Sequence, residues 1–468
     1  MNKQENITLE VKKTSREEEQ MVSILVPTNH PLLKLKEALP WEEITEVMVK
    51  QWRKAGKNVD GKRGQAWPIL LYVPLLVLMM VKHFHSRQME EYLAESVVAR
   101  VFIGWQEHNQ FQVRDHANIA RAMQALGAEA IEQINGLIIK KAVEYGFGNK
   151  EVLSADTTAQ ELPIGYPNEP GILKGIAQRC LRAFGKLKKA TITVVTEVEE
   201  KAKTVLKLVK EHHLFAKTIE EKEQLLNNII RQTEDLMESS TQIIESIGVG
   251  AKSLQQSAVK KLKEMVEVAK ILIPQIQYWI NTAKVATGKI LHAGITQAKA
   301  IVRNKSGKVV EFGFKYLINK IKGGYVFGTM ILDTAHETSM PLQALAEYRK
   351  IFGEKSVPQI LVYARGGHSS NTIKKLTKQG VEKIGIQPKG KAQWLVSGQD
   401  RQTVKSERGK TEGIIGTLKS QKYGFNFPKQ RNLLSLRASG QLSILSLNLN
   451  TLLKDVSNQR VSALKKVA

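Results

Sequence analysis

The chain is poor in cysteine: Cys180 is the only one among 468 residues. That excludes a disulfide framework and a thiolate metal site, and it makes a reducing cytoplasm the natural compartment. Acidic residues are scarce as well, 45 Asp and Glu against 70 Lys and Arg, for a formal net charge of +25. An imbalance of that sign points to a polyanionic partner, most often nucleic acid, and a nucleoid-associated location follows. Long hydrophobic runs are nearly absent. The exception, WPILLYVPLLVLMMV at 67–81, is shorter than the ~20 residues a bilayer span needs and holds Pro68 and Pro74. It reads as a buried core helix, so no membrane partner is expected. The first thirty residues are polar and lack the apolar stretch of a secretory signal. No P-loop or dinucleotide fingerprint occurs. His83 and His85, and His212 and His213, have no neighbours at zinc-site spacing.

The 42% hydrophobic content is enough to fill real cores, and the length allows two or three domains. Residues 371–468 carry 19 Lys and Arg against 5 Asp and Glu, so much of the surplus charge lies in the last fifth of the chain. Residues 1–38 form a polar lead-in. Residues 39–148 read as successive helices with a break near Gly127; a helix-turn-helix around 114–140 fits the pattern, as does any helical bundle. Residues 170–306 read as almost wholly helical, with long amphipathic stretches such as SLQQSAVKKLKEMVEVAKILIPQIQYWINTAK.

Between and after these helices the period changes. LSADTT (153–158) reads as a β-run ending in Asp156. KVVEFGFKYLINK and GGYVFGTMILD read as a hairpin around Gly323-Gly324. The helix MPLQALAEYRKIFG follows, then the buried strand QILVYARGG, a helix ending at Gly380, and the strand VEKIGIQP. In SERGKTEGIIGTLKS (406–420) a helix puts Arg408, Glu412 and Lys419 on one face, one carboxylate between two cations. Such a group is costly in a core but apt where a metal ion meets a phosphate backbone.

These motifs resemble an insertion-sequence transposase of the DDE (RNase H-like) class. Asp156 matches the first acid, and Arg408, Glu412 and Lys419 match the Arg-x3-Glu-x6-Lys part of its signature, with Lys405 where that signature has tyrosine. YPNEPGIL, PKGKAQW, YGFNFP and GQLSILSLNLNTLLKD also look like the family, so the likeness runs from about residue 110 to the end. The resemblance implies an α/β fold with an RNase H-like catalytic core at 149–169 and 307–468. A large helical insertion (170–306) follows its first strand, and an all-helical N-terminal domain (39–148) serves end recognition and dimer contacts. It implies Mg²⁺, with Mn²⁺ able to substitute, held by Asp156 and Glu412. It implies DNA contacts by Arg365, Lys405, Arg408 and Lys419, and a homodimer or larger assembly acting on the element's terminal repeats and target DNA.

The departure is at the second acid, where the family has Asp-Arg-Gly and this chain has Ala364-Arg365-Gly366. An alanine binds no metal, so hydrolysis and strand transfer are expected to be impaired. The alternative is a catalytically inactive DNA-binding protein derived from a transposase. Two acids are candidate substitutes: Glu161, expected in a loop past the strand end, and Asp333, at the end of a neighbouring strand or capping the next helix. His368 lies at the rim of the same site, and Trp394 reads as a core residue or a base-stacking one.

Overall fold

The computed structural model describes residues 24–60, 69–104, 115–188, 195–247, 253–305, 308–332, 336–388, 394, 396–430 and 432–467. Two compact units divide the chain. The first takes Met1–Gln160, Lys315–Gln430 and Leu434–Ala468, the second Glu161–Phe314 and Arg431–Leu433.

The first unit begins with helices α1 (Pro31–Ala38), α2 (Trp41–Lys54), α3 (Ile69–Lys82), α4 (Ser86–Glu95), α5 (Val97–Phe102) and α6 (His116–Glu144). Their ends follow from local chemistry. The His85 side chain and Gln88 form a capping box on α4, and Asp115 accepts the Ala117 amide at the start of α6. In α2, Glu42 and Glu43 open the helix and Arg53 and Lys54 close it, each complementing the helix dipole. Its apolar stripe Ile44, Met48, Val49 and Trp52 is buried. The apolar run becomes α3, buried from Leu75 through Val81, and is a core helix. Among the described residues no single helix is long and apolar enough to cross a membrane; α3 and α4 reach that length only as a pair bent by 103°. Gly127 interrupts α6 with φ 67° and ψ −179°, at the break its sequence marks.

The sheet of this unit has β1 (Asn149–Glu161) at its centre. On one side lies β3 (Lys308–Lys322), hairpinned to β4 (Val326–Ile331) in antiparallel register from Lys315↔Ile331 to Lys320↔Val326. The turn requires Gly323 and Gly324, at φ 103° and 92°; a Cβ on Gly323 would lie 2.3 Å from the Phe147 carbonyl oxygen. On the other side β5 (Ile360–Tyr363) runs parallel to β1, and β6 (Lys383–Ile386) parallel to β5. Two-residue periodicity then sorts the side chains. Leu153, Ala155, Leu361 and Tyr363 join the main core with α6, α11 (Met340–Phe352), α12 (Ser370–Lys378) and α14 (Leu433–Val467). Val152, Ile360 and Val362 pack against Val404 of α13 (Gly398–Leu418). Within the core, Asn448 of α14 donates to Asn135 Oδ1 of α6 and to the Val326 carbonyl, and accepts the Val326 amide. That network satisfies the start of β4 where a pure hydrocarbon core could not.

β1 is longer than its sequence predicts. It does not stop at Asp156 but continues to Glu161, which is a strand residue 9% exposed and not part of a loop. Thr158, Ala159 and Gln160 are buried there, where backbone amides need partners and a strand ladder supplies them.

In the second unit α7 (Glu169–Lys188), α8 (Val195–Leu214), α9 (Ile219–Ser246) and α10 (Ser253–Thr282) enclose a separate hydrophobic cluster. Thr218 and Glu221 form the capping box that opens α9. Cys180 is buried in this cluster, and burial pushes its thiol up to about 12. The segment is not helical to its end. Residues Lys299–Lys305 form β2, antiparallel to the first half of β3, with Ala300↔Phe312 and Val302↔Val310. The β-branched pair Ile301-Val302 is a strand cue too short to stand out beside four long helices.

Candidate active site

Val152, Ser154 and Asp156 alternate along β1 and so share its α13 side. Helix α13 comes close because Gly385 of β6 has no side chain; a Cβ there would lie 2.6 Å from Val404 Cγ2. Ser154 Oγ meets Thr411 Oγ1 at 2.7 Å and donates to the Glu407 carbonyl at 3.5 Å. Beside them a buried ion pair fixes the helix. Lys320 Nζ of β3 donates to Glu407 Oε2 at 2.5 Å, the two side chains being 1% and 4% exposed, and Lys410 takes Oε1 at 2.8 Å. Burial pushes the Lys320 ammonium below its ordinary range against the pull of Glu407. For Glu407 burial acts upward, but its bonds to Lys320 and Lys410 outweigh it and hold the carboxyl low.

The outward side of α13 carries Arg408 and Glu412, paired at 3.2 Å (Nε to Oε1) with side chains 44% and 55% exposed. Asp156 is partly buried, and its Oδ1 accepts the Thr157 amide at 2.8 Å. Burial raises its pKa. The Thr157 amide and Arg408 oppose that shift, while the charges of Glu337 and Glu412 add to it. Asp156 therefore lies in the field of Arg408 and Glu412.

A further acid stands beside Thr157 and the end of β5. Glu337 lies in a single 3₁₀ turn (Glu337–Ser339) before α11. Its Oε1 accepts from Thr157 Oγ1 at 2.9 Å and from the Tyr363 hydroxyl at 2.5 Å, and its Oε2 accepts from Lys315 Nζ. Burial alone would raise the pKa of Glu337, but these donors and the Lys315 charge hold it below the ordinary range. Burial and the neighbouring carboxylates raise the Tyr363 hydroxyl.

Ala364 directly follows β5, and Arg365 is exposed in the 3₁₀ turn Arg365–Gly367. Lys405 is exposed on α13, and Lys419 forms its C-cap. His368 is partly buried just past the Arg365 turn. Trp394 packs partly into the cluster of Val152, Ile360, Val362 and Val404, with the Arg401 guanidinium 5.5 Å from its ring centre. Asp333 lies outside the described residues. Lys315, Lys320, Glu337 and Glu407 were not singled out from the sequence. Lys320, a cation inside the apolar run YLINKI, was the one available signal, and its partner lies 87 residues away.

Carboxylates are the donors a hard divalent cation takes, and Asp156 and Glu412 fit that requirement in kind. Position 364, which directly follows β5, offers a methyl group and no ligand oxygen. Among the described residues only Glu90, Asp115 and His116 bring three ligand atoms within 4.8 Å of one another; Asp156, Glu337 and Glu412 stand further apart. His116 Nδ1 lies 3.1 Å from both acids of that group, which belongs to the α4 and α6 helices.

Residues 20–125 match the model of a family described as a transposase domain (DUF772). Comparison with curated proteins and with solved structures gave no match. The matched segment spans α1 to α5 and the start of α6, and over that segment the chain is similar to a transposase domain.

Proposed function

We propose that the chain is a DDE-class transposase with an RNase H-like core whose strand cleavage is impaired by Ala364. One observation carries the reading. The strand that bears Asp156 packs on the helix that bears Glu412, Ser154 Oγ meeting Thr411 Oγ1 at 2.7 Å, in a sheet built in the order of that class. That order is β1, the β3–β4 hairpin, α11, β5, α12, β6 and α13. The transposase domain at 20–125 supports it independently.

Asp156 and Glu412 would hold Mg²⁺ or Mn²⁺. When bound, such an ion would stabilise charge on the transferred phosphoryl group and lower the pKa of the attacking hydroxyl. The chain's own residues orient the DNA. Arg408 pairs with Glu412 and, with Arg365, offers a guanidinium fork to phosphate oxygens, while Lys405 and Lys419 add point charges. The reaction is hydrolysis at the ends of the element followed by attack of the freed 3′-hydroxyl on target DNA. Cutting two ends together calls for a homodimer or larger assembly.

Ala364 specifically favours a second reading, a catalytically inactive DNA-binding protein that kept the fold. Cleavage of DNA carrying the element's own ends, with Mg²⁺ or Mn²⁺, separates the two. The expected outcome is cutting by Ala364→Asp well above that of the unchanged chain, abolished by a further Glu412→Ala. End-specific binding with no cutting by either would leave the binding-protein reading standing and the catalytic one rejected.

A further inference from the structure

Glu337 occupies a place that helix capping does not explain. The residue before its turn is His336, whose side chain makes no capping bond, and the Glu337 carboxylate points instead at three strands. Thr157 comes from β1, Tyr363 from β5 and Lys315 from β3, and all three donate to it. β1 delivers Asp156 and β5 ends one residue before Ala364, so a single carboxylate ties together the strands on which the proposed site stands. Packing around it is close. A Cβ on Gly366 would lie 2.7 Å from Glu337 Cγ, and one on Gly367 would lie 2.5 Å from the Tyr363 ring. Lys315 balances its charge, whereas among the described residues no lysine hydrogen-bonds Asp156.

We propose that Glu337 is a positioning residue for Asp156: it holds β1 at Thr157, within the strand, against the end of β5 at Tyr363, and so fixes where the Asp156 carboxylate stands. The proposal rests on the active-site reading above. It assigns the work to Oε1, whose bonds to Thr157 and Tyr363 a glutamine amide oxygen can reproduce although the Lys315 bond to Oε2 is lost, whereas direct metal ligation would need the negative charge.

The test is a Mn²⁺ titration of the full chain, read from the electron paramagnetic resonance signal of the free ion. Variants are Asp156→Asn, Glu337→Ala, Glu337→Gln and Tyr348→Phe. The last removes a comparable bond, from the Tyr348 hydroxyl to the Lys150 carbonyl (2.8 Å) at the far end of β1, and controls for general weakening of the sheet. Asp156→Asn is expected to lose binding and Glu337→Ala to weaken it about tenfold or more, the range typical of groups that orient a ligand. Glu337→Gln should keep most of the affinity and Tyr348→Phe all of it. If Glu337→Gln binds as weakly as Glu337→Ala, the charge itself matters and the positioning role is overturned; an unaffected Glu337→Ala overturns it as well. Full binding by Asp156→Asn, or no binding by either the unchanged chain or Ala364→Asp, overturns instead the active-site reading beneath it.

Discussion

Two acids five residues apart on α13 meet opposite fates. Glu407 is buried and locked between Lys320 and Lys410, while Glu412 stands in solvent, paired only with Arg408 along the helix. The same side-chain chemistry serves as a fixed fastening in one case and as an accessible surface charge in the other, and burial decides which. A buried carboxylate without partners would be intolerable, so Glu407 has its donors built in. An exposed one pays little for weak pairing and remains free to exchange partners.

The comparison breaks most sharply at Lys320. Lys320→Ala, which strands Glu407 in the interior, is expected to cost about 3–5 kcal/mol in urea unfolding. The double replacement Lys320→Met with Glu407→Leu should recover most of that loss, since well-packed apolar groups substitute for buried pairs. Gly385→Ala forces a methyl group against Val404 and the Leu361 carbonyl, and should cost about 1–3 kcal/mol by the same measurement. Ser154→Ala removes the hydroxyl contact to Thr411, and a loss of about 1 kcal/mol is expected.

Acid sharpens the contrast further. Glu337 and Glu407 both titrate below the ordinary glutamate range in the fold. Their stabilisation is therefore complete above that range and is lost as pH falls through the folded values. Thermal melts across pH 5 to 3 should fall less steeply for Glu337→Gln than for the unchanged chain. Asp156, shifted upward by burial, runs the other way, because its protonation on the way down relieves a penalty. The smallest effect belongs to Glu412→Gln, expected within about 0.5 kcal/mol in urea unfolding; a large loss there would mean that the outer acid is also a fastening.

Much of this arrangement was legible in the chain itself. The β3–β4 hairpin follows from Gly323-Gly324 between two apolar runs, the α6 kink from Gly127, and the Arg408–Glu412 pair from helical spacing alone. These are local rules, needing only neighbours within a turn or two. What escaped depended on distant partners. The continuation of β1 past Asp156 is decided by the burial of Thr158 to Gln160, which no local pattern declares. β2 is strand because the Val310–Phe312 stretch lies alongside it. Glu337 looks like an ordinary acid ahead of a helix until Thr157, Tyr363 and Lys315, from 180, 26 and 22 residues away, are seen to converge on it.

The buried thiol of Cys180 has a practical corollary. Thiol-directed reagents attack the thiolate, and a sulfhydryl pushed up to about 12 inside a packed helical cluster scarcely forms one at neutral pH. The natural chain is thus already a silent background for spectroscopy: a cysteine substituted on the exposed side of α13 would be the one site to take a spin label or fluorophore, with Cys180 left in place.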